Sequence, residues 1–338
     1  MNPIPGTYRI TAAAGILLSA ALFLHTARKN GLPLSRAAMG WAAGLLSALI
    51  LSKAVYVLFS LPALEQYGPG KWFRAVPEEF SFAAGGIGFC LGFAAAWPRR
   101  REVLPRALDL AVLPGCVLAA ALRFGGIWLG ELELADMYSL GLSEIREGSL
   151  FARFPFAVPD AWGYWYLSVS TLSAFLILCV GCHGLFLLRK KQDHASELSE
   201  GMVFERCAFL LCAIRFFLEL TRMKSFIFYF VHVDQVLCTL VMLGLTVRGC
   251  LRFREKAGRF PVLCPILLLF CIAVNGVTQY LMDKPWQFES LMSESVFTWV
   301  NENLAVFGYA LLLLTSVLPA VLFLLLQRKI RRAPRGTE

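Results

Sequence analysis

The sequence predicts an all-α bundle of about nine transmembrane helices, and three observations favour this fold class. Hydrophobic residues make up 58% of the 338 residues, and charged residues make up 16%. The mean hydropathy is +0.64. The apolar residues are also grouped in stretches of roughly 20, the length that a helix needs to cross a hydrocarbon core about 30 Å thick. This composition excludes a disordered chain, a coiled coil, a secreted disulfide scaffold and an ordinary cytosolic enzyme.

Nine stretches of the chain have this apolar character, and each is predicted to be one membrane-spanning helix. They cover residues about 10–27, 37–61, 80–98, 107–130, 162–188, 203–222, 226–248, 260–282 and 304–327. The first stretch has neither a cationic segment before it nor a small-residue cleavage site, so we expect a retained span rather than a signal peptide. A helix lying at the membrane surface is expected at about 283–303, where aromatic and acidic residues are mixed.

The charges of the connections predict the orientation of the helices. Twenty Lys and Arg side chains fall in the connections after spans one, three, five, seven and nine, whereas eight fall on the other side. By the positive-inside rule, the N-terminus is outside and the C-terminus is cytoplasmic. The net charge of +9 is therefore attributed to cytoplasmic loops, and no nucleic-acid partner is expected.

Several ionisable side chains lie inside the predicted spans, where an unpaired charge is costly and usually has a function. Lys53, Arg123, Arg215, Glu219 and Arg222 all fall late in spans that run outward. We therefore expect them at one depth, in the outer half of the membrane. The last three are spaced i, i+4 and i+7, which places them on one helix face.

The balance of these charges predicts a bound anion. Glu131 follows Arg123 by eight residues and shares its face if the helix continues that far. Four cations then face two carboxylates, which leaves an excess of about two positive charges. Arginine suits phosphate because its guanidinium forms bidentate hydrogen bonds and stays protonated when desolvated. A phospholipid entering from the outer leaflet fits; the alternative is an Arg–Glu pair that joins helices and binds nothing.

His232 lies beside Asp234 and Gln235 in the predicted seventh span, at the depth of the cations. A histidine at this position is suited to activating a thiol or a hydroxyl as a general base, and the alternative is a hydrogen-bonded structural residue. The string CVGCH at 179–183 matches the c-type haem attachment pattern in spelling. It falls in the inner part of span five, away from the oxidising face, so we expect helix packing there and no cofactor or metal.

Five strings at these positions resemble the bacterial prolipoprotein diacylglyceryl transferase family. They are LSKAVYVLF (51–59), FSFAAGGIG (80–88), LDLAVLPGCVLAAALRFGGIWLGE (108–131), GMVFERCAFLLCAIRFFLELTR (201–222) and VHVDQVL (231–237). They occur in the family's order and at roughly its spacing, over about residues 10–248. The interval from Asp109 to Arg123 and the run of Arg215, Glu219 and Arg222 are the most specific parts.

The resemblance implies a transferase at the outer face of the bacterial plasma membrane. Members of the family move the diacylglyceryl group of phosphatidylglycerol to the thiol of a lipobox cysteine in a prolipoprotein, and they release glycerol phosphate. The expected partners are therefore a phosphatidylglycerol-like phospholipid, prolipoproteins and the lipid bilayer. On this resemblance, catalysis is assigned to Arg123, Arg215 and Glu219, and substrate binding to Glu131, Arg222 and Gln235. From their own chemistry and depth, we add His232 to the catalytic residues, as a replacement base, and Lys53 to the binding residues.

The chain also departs from the family pattern. Ala83 and Ala84 replace a histidine and a glycine, Gly126 and Leu129 replace two asparagines, Lys53 replaces an arginine, and Leu211 replaces a tyrosine. Groups that hold phosphate are kept better than groups that handle protons. An anionic-phospholipid-binding protein without catalysis is therefore a second hypothesis. We divide the chain into a transferase-like core at 1–249 and an additional C-terminal helical pair at 250–338.

Overall fold

The computed structural model contains nine helices within the part of the chain that it describes. The described residues are 5–59, 70, 80–97, 102–126, 144–145, 148, 153, 155–159, 165–192, 199–219, 227–228, 231–253, 260–284 and 293–332. The helices are α1 (Pro5–Lys29), α2 (Leu34–Phe59), α3 (Phe82–Ala95), α4 (Leu104–Gly125), α5 (Val169–Gln192), α6 (Met202–Glu219), α7 (Val233–Phe253), α8 (Phe260–Asp283) and α9 (Glu294–Arg332). Each overlaps one predicted span, and the helical fold class is confirmed.

Seven of these helices are long and apolar enough to cross a membrane, namely α1, α2, α4, α5, α7, α8 and α9. The chain is therefore a multi-pass membrane protein. Helix α3 has 14 residues, which corresponds to about 21 Å at 1.5 Å per residue. Helix α6 carries four charged side chains in 18 residues. The crossing of the membrane by these two helices, and the orientation of the bundle, stay predictions.

Short strands precede two of the helices and delay their starts. Strands β1 (Glu144–Ile145), β2 (Ala157–Pro159) and β3 (Trp165–Leu167) form an antiparallel sheet in the order β1-β3-β2. Strands β4 (Ile227–Phe228) and β5 (Val231–His232) form a second antiparallel pair. Helices α5 and α7 consequently begin at Val169 and Val233, seven residues later than the spans predicted to begin at about 162 and 226, because the preceding residues pair as strands.

The segment predicted as a separate surface helix at about 283–303 is organised differently. Helix α8 continues to Asp283, and residues 294–303 are the first turns of the 39-residue helix α9. At 1.5 Å per residue α9 is about 58 Å long, almost twice the thickness of a hydrocarbon core. Residues 285–292, with Trp286 and Phe288, lie outside the described residues.

Helices α2 and α3 pack closely because small residues line their contact. A Cβ atom added at Gly92 would overlap the Ser47 side chain and the Ala43 carbonyl oxygen, and one added at Gly88 would meet the Ser47 carbonyl oxygen. Such small residues let helix backbones approach in a membrane, where dispersion contacts drive association. The approach fixes the position of the first turn of α3, which carries the site described below.

A buried carboxylate near the N-terminus of α4 joins three helices. Asp109 accepts hydrogen bonds of 2.9 Å from the backbone N–H groups of Gly201 and Phe204, and it pairs with Lys191 at 3.2 Å. It thus caps the N-terminus of α6 from a neighbouring helix. The left-handed φ of 85° at Gly201 suits glycine and turns the chain into α6. This clamp sets the axial position of α6.

The C-terminal helices α8 and α9 pack against each other and against α6 and α7. The rings of Phe209 on α6 and Phe323 on α9 are stacked, with centroids 4.1 Å apart. Arg206 Nε donates a 2.7 Å hydrogen bond to Gln327 Oε1 on α9. Between α8 and α9, Asn275 Nδ2 donates to Thr315 Oγ1 at 3.1 Å. The additional pair is therefore joined to the core helices by apolar and polar contacts.

Candidate functional site

The site is built around the first turn of α3. Ser81 is the N-cap of this helix, and its side-chain oxygen accepts a 3.1 Å hydrogen bond from the Ala84 N–H. Ser52 near the end of α2 holds the same residue: Ser52 Oγ donates to the Ser81 carbonyl at 2.5 Å, and Ser81 N–H donates to the Ser52 carbonyl at 3.2 Å. The end of α2 and the start of α3 are therefore fixed to one another.

Asp234, in the first turn of α7, is the centre of the polar network. Its carboxylate accepts hydrogen bonds from Ser81 Oγ, from the Ala83 N–H at 3.3 Å and from Arg215 Nη2 at 2.9 Å. The residue is 1% exposed. An ionised carboxylate in such a place needs several donors to offset the loss of water. Asp234 thus ties the starts of α3 and α7 to the C-terminal part of α6.

Arg215 lies between two carboxylates. Its Nη2 atom is 2.5 Å from Glu219 Oε2, one turn along α6, and 2.9 Å from Asp234 Oδ2. All three side chains are at least 94% buried. Its Nη1 atom is buried and has no hydrogen-bond partner among the described residues. Arg215 therefore has one donor group in the site that the described network does not use.

Arg123 reaches the same place from α4. Its guanidinium carbon is 6.0 Å from the centroid of the Phe82 ring, and that of Arg215 is 5.5 Å from the same centroid. A cation near an aromatic face is attracted by the ring quadrupole, most strongly where water is excluded. One ring therefore lies next to cations from two different helices. A second ring, Tyr8 on α1, lies next to Gly125 at the end of α4, two residues after Arg123.

Lys53 lies beside this cluster. Its Nζ atom is 4.9 Å from the Tyr56 ring centroid and 5.3 Å from that of Phe80. Phe80 immediately precedes the cap residue Ser81. The structure therefore brings Lys53, Arg123 and Arg215 to rings on either side of Ser81, with Glu219 paired to Arg215.

His232 and Gln235 flank Asp234 but differ in their environment from the prediction. His232 is on β5, opposite Ile227, rather than inside a spanning helix, and it is 5% exposed. Gln235 is 4% exposed, and its Nε2 donates a 3.3 Å hydrogen bond to the Phe216 carbonyl. Gln235 therefore joins α7 to α6. Glu131 and Arg222, the other two predicted residues, lie outside the described residues, as does Leu129.

The charge balance of the described site is less positive than the sequence alone indicates. Lys53, Arg123 and Arg215 contribute three positive charges, and Glu219 and Asp234 contribute two negative charges. The sum of these is one positive charge, compared with the predicted excess of about two. The difference arises from Asp234, which the sequence analysis noted only as a neighbour of His232. The signal for it was present, because a carboxylate in an apolar stretch at the depth of the cations is a potential partner for them.

This arrangement suits an anion that is held by guanidinium groups in a place of low dielectric constant. No cluster of three or more His, Cys, Asp or Glu side chains able to hold a metal ion occurs among the residues that the structure covers. The fold and the site thus define a multi-pass helical membrane protein with a buried charge network at the start of one short helix. Comparisons with protein-family models, curated proteins and solved structures find no match to this chain.

Proposed function

We propose that this protein is a membrane transferase that moves the diacylglyceryl group of phosphatidylglycerol to the lipobox cysteine of a prolipoprotein. The observation that carries the proposal is the position of Arg123 and Arg215, from separate helices, beside the ring of Phe82. Two guanidiniums placed together in this way suit a phosphodiester that bears one negative charge. The sequence resemblance supports the same lipid and the same acceptor.

In the proposed reaction, the cysteine thiolate attacks the carbon of the diacylglyceryl group that is bonded to the phosphate oxygen. A carbon–sulfur bond forms, the carbon–oxygen bond to phosphate breaks, and glycerol phosphate leaves with the bonding electron pair. Arg123 stabilises the charge that develops on the phosphate, together with the Nη1 donor of Arg215, which has no hydrogen-bond partner among the described residues. His232, buried and two residues before Asp234, takes the thiol proton. Glu219 and Asp234 keep the Arg215 side chain oriented.

A second candidate function is the binding of anionic phospholipid without transfer. It is favoured by the charge state of Arg215, which two carboxylates already offset. The residue at position 83 also favours binding without transfer. The family has a histidine there, whereas Ala83 has only a methyl side chain and contacts Asp234 through its backbone N–H. In this case Arg123 attracts the lipid phosphate, and the hydrogen-bonded network of Ser81, Arg215 and Asp234 fixes the geometry of the binding site.

One experiment separates the two functions. Purified protein is incubated with phosphatidylglycerol and a lipobox peptide, and thioether-modified peptide is measured by mass spectrometry. The transferase proposal predicts product from the wild type and none from Arg123→Gln. Arg106→Gln is the matched control, because Arg106 is exposed at the opposite end of α4, where it donates to the Asn30 carbonyl.

A family member of known activity serves as the positive control in the same assay. Absence of product from this protein, when the control enzyme is active and phosphatidylglycerol is still bound, contradicts transfer and supports the second function. Growth of a strain depleted of its own transferase, rescued by this protein but not by its Arg123→Gln variant, gives an independent measure in cells.

A further inference from the structure

A second charged cluster lies at the opposite end of α6 and α7 from Phe82. Glu205, in the first turn of α6, is 3.1 Å from Arg248 Nε and 3.0 Å from Arg252 Nη1, both on α7. The Glu205 side chain is 9% exposed, whereas the side chains of Arg248 and Arg252 are 59% and 35% exposed. One buried carboxylate therefore holds two guanidiniums side by side at the surface of the bundle.

This cluster has an excess of positive charge. Arg248 and Arg252 outnumber Glu205, and Arg206 adds a further cation at the next position of α6. Arg206 is itself buried and donates to Gln327 Oε1 at 2.7 Å. The Gln327 side chain is 3% exposed, and its Nε2 donor has no acceptor among the described residues. At the junction of α6, α7 and α9 the cations therefore outnumber the carboxylate.

The surroundings of the two exposed arginines suit a lipid better than a soluble anion. Val247 and Leu251, which precede Arg248 and Arg252 by one residue each, are 40% and 64% exposed. Pairs spaced i and i+4 lie along one side of a helix, so a cationic row and an apolar row run next to each other on α7. The predicted orientation puts this end of the helix at the cytoplasmic headgroups, where the arginines meet phosphate and the apolar row meets acyl chains.

We propose that Arg248 and Arg252, held in parallel by Glu205, bind the phosphate of an anionic phospholipid in the cytoplasmic leaflet. The site is separate from the one at Phe82 and does not depend on the proposed transfer reaction. Charge complementarity assigns the occupant, because the cytoplasmic leaflet is the anionic face of a membrane and clustered arginines next to a spanning helix attract its headgroups. The bound lipid lies against the exposed face of α7 that carries Val247 and Leu251.

The test is a count of lipids retained by the full-length protein in native mass spectrometry, with phosphatidylglycerol and phosphatidylcholine as probes. The double variant Arg248→Gln/Arg252→Gln is compared with Arg28→Gln/Lys29→Gln, which removes two exposed cations at the same predicted end of α1. We expect the first variant to bind phosphatidylglycerol about 25-fold more weakly, roughly fivefold for each arginine. The second variant is expected to lose clearly less, because no carboxylate is described that holds Arg28 and Lys29 together on one phosphate. Binding of phosphatidylcholine is expected to stay unchanged in both.

Two results would overturn the proposal: equal retention of phosphatidylglycerol by both double variants, or its displacement by millimolar inorganic phosphate, which indicates a soluble anion. The single variant Arg248→Gln, at the more exposed of the two positions, is the test if the double variant does not fold. A parallel measurement on Arg123→Gln separates the two sites. If Arg123→Gln loses lipid and the Arg248 variants do not, the site on α7 is rejected and the site at Phe82 stands. If the Arg248 variants lose lipid and Arg123→Gln does not, the site at Phe82 is rejected and the site on α7 stands.

Discussion

Arg215 contacts two carboxylates at once, and this arrangement determines how it can act on a phosphate. The triad of Arg215, Glu219 and Asp234 carries one net negative charge, so it does not attract an anion by itself. Arg123, at the same Phe82 ring, brings this sum to zero, and Lys53, at the neighbouring Phe80 ring, brings it to one positive charge. We therefore expect Arg123 to supply most of the attraction for phosphate, and Arg215 to supply a fixed hydrogen-bond donor.

The triad predicts unequal effects of removing its members. Arg215→Met leaves two buried carboxylates without their cation, so we expect the free energy of unfolding to fall by about 3–5 kcal/mol. Asp234→Asn keeps the shape and leaves Arg215 paired with Glu219, so we expect a clearly smaller loss. The measurement is denaturant unfolding in detergent, with the double variant included.

The double variant provides the control for this prediction. Since the residues share one network, the loss in Arg215→Met/Asp234→Asn is expected to be smaller than the sum of the two single losses. Additive losses, or a larger loss from Asp234→Asn than from Arg215→Met, contradict the described charge pairing.

The site residues that sequence reasoning singled out most readily are those whose charge has a cost in the membrane. Lys53, Arg123 and Arg215 are conspicuous because a cation in an apolar stretch needs a partner. The partners were harder to predict, since Phe80, Phe82 and Ser81 are ordinary residues whose role depends on the approach of α2, α4 and α6. His232 was assigned to a helix because the pairing of β4 with β5 involves two residues on each side, too few to give a period.

The element on which the site depends is α3, whose position is set by its contact with α2. We expect Gly92→Ala to lower the free energy of unfolding by about 1–3 kcal/mol, because the added methyl group overlaps Ser47 and Ala43 and forces the helices apart. The matched control is Gly86→Ala on the same helix, where an added Cβ meets no atom within 4 Å. Thermal unfolding in detergent measures both.

This comparison also tests the link between packing and the site. Displacement of α3 moves Ser81 and Phe82, so Gly92→Ala is expected to weaken phosphatidylglycerol binding, whereas Gly86→Ala is not. Equal stability and equal lipid binding for the two variants would contradict the close packing of α2 and α3.

The C-terminal pair is joined to α6 by the stacked rings of Phe209 and Phe323. We expect Phe323→Ala to destabilise the protein by about 2 kcal/mol, less than in a water-soluble core, because in a bilayer the lost term is packing rather than transfer from water. Phe307→Ala is the control, since Phe307 on the same helix is 58% exposed. An equal effect of both substitutions in thermal unfolding contradicts the docking of α9 on α6.

Helix positions followed well from the sequence, and helix ends did not. The length of apolar stretches indicates each of the nine helices because a membrane requires that length. The starts of α5 and α7 were mispredicted because short strand pairs precede them. Residues 294–303 were predicted as a separate helix, but they continue into α9 without a break, and hydropathy does not show whether a helix is continuous.

In the whole molecule, α6 and α7 carry a charge cluster at each end. Arg215, Asp234 and Arg123 meet at one end, and Glu205, Arg248 and Arg252 meet at the other. From residue 205 to residue 215 the rise along α6 is about 15 Å, so the clusters are well separated within a membrane. The two proposals assign them to phospholipids of opposite leaflets.

The central claim is that a phosphate binds between Arg123 and Arg215 at Phe82. It is tested most directly by a phosphatidylglycerol analogue with a photoreactive headgroup, crosslinked to the protein in a bilayer and mapped by mass spectrometry. We expect label on the first turn of α3, at and around Phe82. Unlabelled phosphatidylglycerol should displace this label, and phosphatidylcholine should not. The Arg123→Gln variant should not be labelled there. Label confined to the exposed faces of α8 and α9 and unaffected by Arg123→Gln would contradict the account.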